Sequence, residues 1–475
     1  MSQTNLVYQV EDKPSWGKTL VFALQQLLAI MAATIAVPAI VNGATGATMS
    51  QSAALFGAGV GTLVYLLFTK FKSPVFLGSS FAFLGSMMAA FAGGVSMSVG
   101  YLGLILGAAL AALVYVIISF IVRFAGTRWI NRIMPAVVIG PTVAIIGLSL
   151  AGNAVGDLFT GNGSDSVNSY VALVCGLVTL FVTIICSVYG KKMMKMIPFI
   201  IGICAGYAVA AIFSAIGYGT GNDALKVINF SLFEQAGWNK FIGGWCPDFT
   251  FLTAFGGNYD FAGGNFGAYF GTIAVAYVPV AFVVFAEHIA DHKNLGSIIG
   301  RDLLTEPGLH RTLLGDGVGS FAGALFGGCP NTTYGESVGT VAISGNASIR
   351  TIFATSLMAI VLSFVLPFST FLATIPSCVM GGVCFALYGF IAVSGLKMIQ
   401  NVDLGKNRNL FVVSVILIAG VGGFTLNIRF GANAVITVTE VACALILGII
   451  VNIVVNLKKP AEQPAPQEVE EKEEE

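Results

Sequence analysis

Hydrophobic residues in this chain come in long runs, not in the narrow stripe of a soluble amphipathic helix. The runs recur from residue 17 to residue 457 and are separated by short polar connections. A helix needs about 20 mostly apolar residues to cross a bilayer. On that basis the pattern predicts spanning helices near 17–41, 50–70, 101–123, 131–151, 168–189, 194–217, 267–290, 312–328, 351–375, 377–398, 409–425 and 434–457. Two further segments are weaker, 74–95 (PVFLGSSFAFLGSMMAAFAGGV) and 329–348, which opens CPNTTYGESVG. Each reads as a few extended residues followed by a helix.

Lysine and arginine decide whether those two segments cross, because positive residues mark the cytoplasmic side. They collect at Lys13 and Lys18, at Lys70 and Lys72, and at Arg123, Arg128 and Arg132. They recur at Lys191, Lys192 and Lys195, at Lys293, Arg301 and Arg311, at Arg350, at Lys397, Lys406 and Arg408, and at Lys458 and Lys459. The connections 42–49, 94–100 and 152–167 carry none. Keeping the clusters on one side requires both weak segments to cross. That predicts 14 transmembrane segments with both termini cytoplasmic: a multi-pass, all-α protein of the cell membrane. Arg429, in the short link before the last span, and Lys226 and Lys240 are exceptions. The latter two lie in the link 218–266, and long external segments translocate with little regard to charge.

Fourteen segments divide into two sets of seven, and an odd-numbered repeat inverts in the membrane. The broken segments are third and tenth, equivalent places in the two halves. A matched pair of glycine-interrupted segments is the sequence pointer to a transporter site at an inverted-repeat interface. Residues 1–16 are predicted to be a cytoplasmic N-terminus and 218–266 an extracellular link. The proline- and glutamate-rich residues 458–475 are predicted to be a disordered acidic tail.

Composition agrees with a polytopic membrane protein: 56% hydrophobic, 10% charged, mean hydropathy +0.87. With 58 glycines, close helix packing and interrupted helices are both expected. A net charge of zero gives no basic field for nucleic acid. The eight cysteines show no spacing suited to zinc or a disulfide framework, and no metal or cofactor is expected. No nucleophile–base set points to an enzyme.

Carboxylates at membrane depth are costly and functional by default. Glu287 ends the run VPVAFVVFAEH, and Glu336 lies in the broken segment CPNTTYGESVG. A broken helix also leaves backbone amides without partners, with partial positive charge at its start. Segment 74–95 offers Ser79, Ser80 and Phe81 at its break; segment 329–348 offers Tyr334, Gly335 and Glu336. Two carboxylates and a set of amides suit a planar ring with alternating N–H and C=O groups, on which Phe81 could stack. Burial raises a carboxyl pKa from its ordinary value of about 4.3, so such a group can carry a proton across. The plainer reading of Glu336 is a helix-start residue favoured by the dipole. Asp291, four residues after Glu287 on one helical face, is a proton relay or an interfacial cap. His288 and His292 read as solvated or hydrogen-bonded groups, Gln25 and Gln26 as packing against the broken segments, and Tyr388 as packing.

The motifs LGSSFAF (77–83), AEH (286–288), DLLTEPGLHRTLLGDG (302–317), PNTTYGES (330–337) and SCVMGGVCFALYG (377–389) resemble the nucleobase–ascorbate transporter family, in particular its uracil permeases. The resemblance runs from about residue 15 to residue 457. It implies two inverted seven-segment repeats forming a core domain (17–123 and 267–375) and a gate domain (131–217 and 377–457), with short strands opening segments three and ten and a homodimeric assembly. It further implies that Glu287 and Glu336 bind the base, with Phe81 and Gly335 lending amides and Ser80 and Tyr334 beside them. Proton coupling would pass through Glu287, Asp291 and Glu336. Gln25-Gln26 and Asp291 depart from the family pattern, in which Gln-His and, in uracil permeases, His are common. Glu336 matches the uracil branch, whereas Asp291 is more typical of the purine branch. The expected activity is import of uracil with protons by alternating access. A xanthine- or guanine-type permease, an anion exchanger or sulfate carrier of similar architecture, and a channel are the alternatives.

Overall fold

The computed structural model describes residues 6–126, 135–191, 193–400, 402–430 and 434–457. Among them, eight helical stretches are long and apolar enough to cross a membrane. They are Trp16–Thr45 (α1), Gln51–Phe68 (α2), Met97–Ala125 (α4), Ala136–Asp157, Ser169–Tyr189 (α7), Pro198–Thr220 (α8), Phe266–Ile299 (α9) and Ser377–Met398 (α14). The fourth is two helices, Ala136–Ser149 (α5) and Ala151–Asp157 (α6). Leu309–Gly327 (α10) is a further helix. Ile349–Ser363 (α12) and Leu366–Thr374 (α13) form a pair bent by 81°. Asn407–Val421 (α15) and Glu440–Val455 (α16) are shorter apolar helices.

The two weak segments have the broken form expected of them. The first holds strand Leu77–Ser79 (β1), a single 3-10 turn at Phe81–Phe83 and helix Leu84–Ala90 (α3). The second holds strand Asn331–Thr333 (β2) and helix Gly335–Ser344 (α11). The strands pair antiparallel with Leu77 opposite Thr333 and Ser79 opposite Asn331. Strands satisfy each other's backbone groups where lipid could not. At Gly78 the ring of Tyr334 lies across the backbone. A Cβ there would sit 2.3 Å from the ring, and the Tyr334 hydroxyl donates to the Ser79 carbonyl at 2.8 Å. Small residues let backbones approach closely inside a membrane. Gly57 and Gly61 of α2 face Gly319 and Gly323 of α10, and Asn331 inserts at this contact to donate to the Gly57 carbonyl at 3.1 Å.

Helices α2, α4, α9, α10 and α12 pack mainly on one another, and α5, α7, α8, α14, α15 and α16 form a second group. The Lys- and Arg-bearing ends of the first group meet. Lys72 pairs with Glu306, Arg301 with Glu11, and Arg311 reaches the Phe68 carbonyl at 3.5 Å.

Several expected spans differ from what forms. The span 351–375 is bent in two at Phe364–Val365, where Pro367 enters the first turn of α13. The spans 409–425 and 434–457 are not continuous helices. Helix α15 stops at Val421, and strands Leu426–Phe430 (β3) and Ala434–Val438 (β4) form an antiparallel hairpin before α16. Arg429 therefore belongs to a strand, paired with Val435, and not to a bare link. The expected strands were only those of the broken segments, so this hairpin is an addition to an otherwise helical architecture. Helix α9 runs on to Ile299, well past 290. The link 218–266 carries short helical pieces at Ser231–Gln235, Phe241–Trp245 and Thr250–Gly256. The expected tail 458–475 lies outside the described residues, as do residues 1–5 and 127–134.

Candidate functional site

One cavity of about 350 Å³ gathers the residues singled out in the sequence. Ser80 and Phe81 come from the break after β1; Glu287, Ala290 and Asp291 come from α9. Thr332, Thr333, Tyr334, Gly335 and Glu336 come from β2 and the start of α11. The opposite wall is apolar, with Val143 and Ile146 of α5, Phe199 of α8, and Leu387, Phe390, Ile391, Ser394 and Met398 of α14. The cavity thus lies between the two groups of helices.

Hydrogen bonds fix several of the elements that carry these side chains. Glu287 and Asp291 are one turn apart on α9 and half-buried. Thr333 donates its hydroxyl to Asp291 Oδ2 at 2.7 Å, tying α9 to β2. Gly335 and Glu336 are the first residues of α11, where backbone N–H groups have no earlier carbonyl in the helix to meet. The hydroxyl of Ser337, one residue on, accepts from Gln26 Nε2 at 2.6 Å and from the Phe76 amide at 3.0 Å. Gln26 is thus bonded to the second broken segment directly and to the first only through Ser337, while Gln25 Oε1 is buried with no partner among the described residues. Ser80 Oγ and Thr332 Oγ1 are buried and have no partner among the described residues. The Phe81 ring meets Tyr388 of α14 edge-on at 6.1 Å, which makes Tyr388 part of the wall behind the site.

The histidines sit elsewhere than solvent. His288 and His292 are both buried, so a solvated position is excluded. His288 Nδ1 lies 2.7 Å from Asp316 Oδ2, and its Nε2 lies 3.0 Å from Thr312 Oγ1. His292 Nδ1 donates to the His288 carbonyl at 2.8 Å, and its Nε2 lies 2.6 Å from the Tyr65 hydroxyl. Neither ring is among the residues that line the cavity. Asp316 was not singled out in the sequence. The signal was present, a carboxylate within the membrane-depth stretch LLGDGVGS, and the rule that found Glu287 and Glu336 applies to it equally.

Three carboxylates line the cavity, and no Lys, Arg or His appears among its lining residues. Such a lining repels anions and favours N–H groups or cations. The amides and orphan hydroxyls beside it suit carbonyl oxygens, and Phe81 suits a flat ring.

Residues 17–428 match a permease family model, Xan_ur_permease. The chain belongs to that family. Among its relatives, the uracil permease of Bacillus caldolyticus is 37% identical over 446 residues, covering 93% of each chain. The uracil permease of Bacillus subtilis (strain 168) is 37% identical, covering 94% of this chain and 95% of that protein. The uracil permease of Escherichia coli (strain K12) is 32% identical, covering 92% and 93%. Two solved structures share the fold at low identity. The transmembrane domain of the cyanobacterial bicarbonate transporter BicA aligns with a TM-score of 0.56 at 15% identity, over 95% of this chain and all of that one. The murine anion transporter Slc26a9, solved in the inward-facing state, aligns with a TM-score of 0.62 at 14% identity, over 94% of this chain and 69% of that one. This permease is thus a multi-pass membrane protein, built on an architecture that carries quite different solutes in other families.

Proposed function

We propose that this permease carries uracil across the cell membrane by alternating access, coupled to protons. The observation that carries the reading is the meeting of Glu287, Asp291 and Glu336 with two broken-helix starts in one cavity, in a chain 37% identical to uracil permeases. Glu287 and Glu336 accept the ring N–H groups. The amides of Phe81 and Gly335 donate to its carbonyls, with Ser80 and Tyr334 shaping the same edge, and Phe81 stacks on its face. Three carboxylates cannot all stay charged beside a neutral solute in a low dielectric. A proton that enters with the base and leaves with it supplies the balance, with Asp291 as its relay.

Residues 17–123 and 267–375 act as the core that carries the site; residues 131–217 and 377–457 act as the gate it moves against. The cavity is lined along α14 from Leu387 to Met398, next to Lys397. That end faces the cytoplasm by the positive-inside rule, as do both termini. The working unit is a homodimer, in keeping with the family. Anion transport, which the two structural neighbours are named for, is disfavoured by a lining whose charged residues are all acidic.

Uptake of labelled uracil into proteoliposomes tests the reading. Accumulation is expected to fall as external pH rises and to collapse with a protonophore. Sodium-dependent uptake indifferent to pH would rule out proton coupling, and leakage without accumulation would indicate a channel.

A further inference from the structure

Residues 6–14, which none of the site chemistry uses, form an irregular segment with a turn at Val10 and Glu11. It is not loose. The Val7 and Tyr8 amides donate to the Gly345 carbonyl at 2.8 and 3.1 Å, where α11 ends. The Ala347 and Ile349 amides donate back to the Tyr8 and Val10 carbonyls at 2.9 and 3.1 Å. Ser348 Oγ donates to the Asp12 carbonyl at 2.6 Å, and Arg350 Nη1 to the Pro14 carbonyl at 3.1 Å, with its guanidinium stacked 3.8 Å over the Trp16 ring. The segment thus clasps the connection that follows α11, with one parallel bridge between Tyr8 and Asn346.

The side chains extend the contact to the other half of the site. Val10 is 1% exposed and sits in a small apolar cluster apart from the main core. The cluster joins Leu295 and Ile299 of α9, Val338 and Val341 of α11, and Val75 and Leu77 at β1. These are the three elements that carry Glu287, Glu336 and the Ser80–Phe81 break. Glu11 forms a two-pronged pair with Arg301, just past the end of α9, its second contact 2.6 Å long. Lys72, in the connection before β1, pairs nearby with Glu306.

Helix α11 is only 10 residues long. A helix that short is marginal alone and takes its position from what it packs on. We propose that residues 6–14 are a positioning strap, in which Val10 and the Glu11–Arg301 pair lock α11 against α9 and so set Glu336 in register with Glu287. The strap touches no solute. It acts on affinity by fixing where the two carboxylates stand, and its removal leaves the spanning helices whole.

The test compares the full chain with a variant lacking residues 2–12, with Glu11→Arg, with Arg301→Glu and with the double reversal. Amide hydrogen exchange over 335–345 is read without any solute, and uracil KM and Vmax are read in vesicles. The second reading rests on the uracil assignment, whereas the first does not. The deletion is expected to speed exchange over 335–345 and to raise KM about tenfold, with Vmax moving much less. Each single reversal is expected to shift both in the same direction, and the double reversal to restore them. Unchanged exchange, faster exchange with unchanged KM, or a double reversal no better than the singles would each overturn the strap. If the deletion does not insert, the reversal set decides alone. Absence of uracil uptake by the full chain would sink the transport reading, and exchange would then decide the strap by itself.

Discussion

At the scale of single residues, the site holds three carboxylates, of which Asp291 accepts directly from a hydroxyl, while a second hydroxyl ties down the helix that carries Glu336. Thr333 on Asp291 and Ser337 between Gln26 and the Phe76 amide are both on the segment that carries Glu336. Glu287, Glu336 and Asp291 were legible because charge at membrane depth needs a reason. Thr333 and Ser337 were not, since a hydroxyl is cheap in any segment and only the fold says what it meets. Asp316 was legible by the same rule and stands paired with His288, one turn from Asp291 along α9. Asp291→Asn keeps an oxygen for Thr333 to donate to but removes the ionisable group. It is expected to leave uracil affinity within about threefold, a change of less than 1 kcal/mol, while flattening the pH dependence of uptake. A pH profile of KM and Vmax for this variant checks it; an unaltered profile would remove Asp291 from the coupling route.

At the scale of elements, the broken segments followed from pattern, and the short strands that open them from the family resemblance. Both showed a polar start inside an apolar context, and two half-length strands satisfy each other's backbone. The bend in the span 351–375 was signalled by Pro367 but masked by unbroken hydrophobicity around it. The hairpin 426–438 was signalled by the alternation LNIRF and by AVITV across a turn sequence. That apolar second strand reads equally well as the start of the next helix, because short apolar runs are ambiguous by periodicity. The crossing of Tyr334 over Gly78 is the tightest feature of the paired segments. Gly78→Val places carbon inside that ring and is expected to destabilise by about 1–3 kcal/mol, as overpacking does. Thermal unfolding in detergent would register this as a lowered Tm with weaker uracil binding; wild-type stability would show that the crossing has slack.

At the scale of the whole molecule, two cavities lie along α14. The site cavity follows α14 to Met398, beside Lys397. The second, of about 620 Å³, is lined by Asn42, Asp157, Asp248, Thr370, Ser377 and Met380, toward the other end of α14. With the core and gate in this arrangement, Ser394→Cys should react with an impermeant thiol reagent only from the basic side, and Thr370→Cys only from the other. Equal labelling of Ser394→Cys from both sides would contradict the assigned orientation. The pH behaviour of uptake can be separated from that of the strap. Arg301 holds the Glu11 carboxyl below its ordinary value. Its contribution is therefore present above the ordinary value of about 4.3 and is lost only as pH falls through the lower, folded value. A pH dependence of uptake seen between about 5.5 and 8 would therefore not come from the strap.

The central claim, that Glu287 and Glu336 together hold a flat neutral ring, is tested most directly by calorimetric titration of uracil into the purified protein and into Glu287→Gln and Glu336→Gln. Loss of a hydrogen bond to a charged group costs about 1.5–3 kcal/mol. Each substitution should therefore weaken binding roughly 10- to 100-fold, with Glu336→Gln also shifting preference toward oxopurines. Uracil affinity unchanged in both variants would contradict the account.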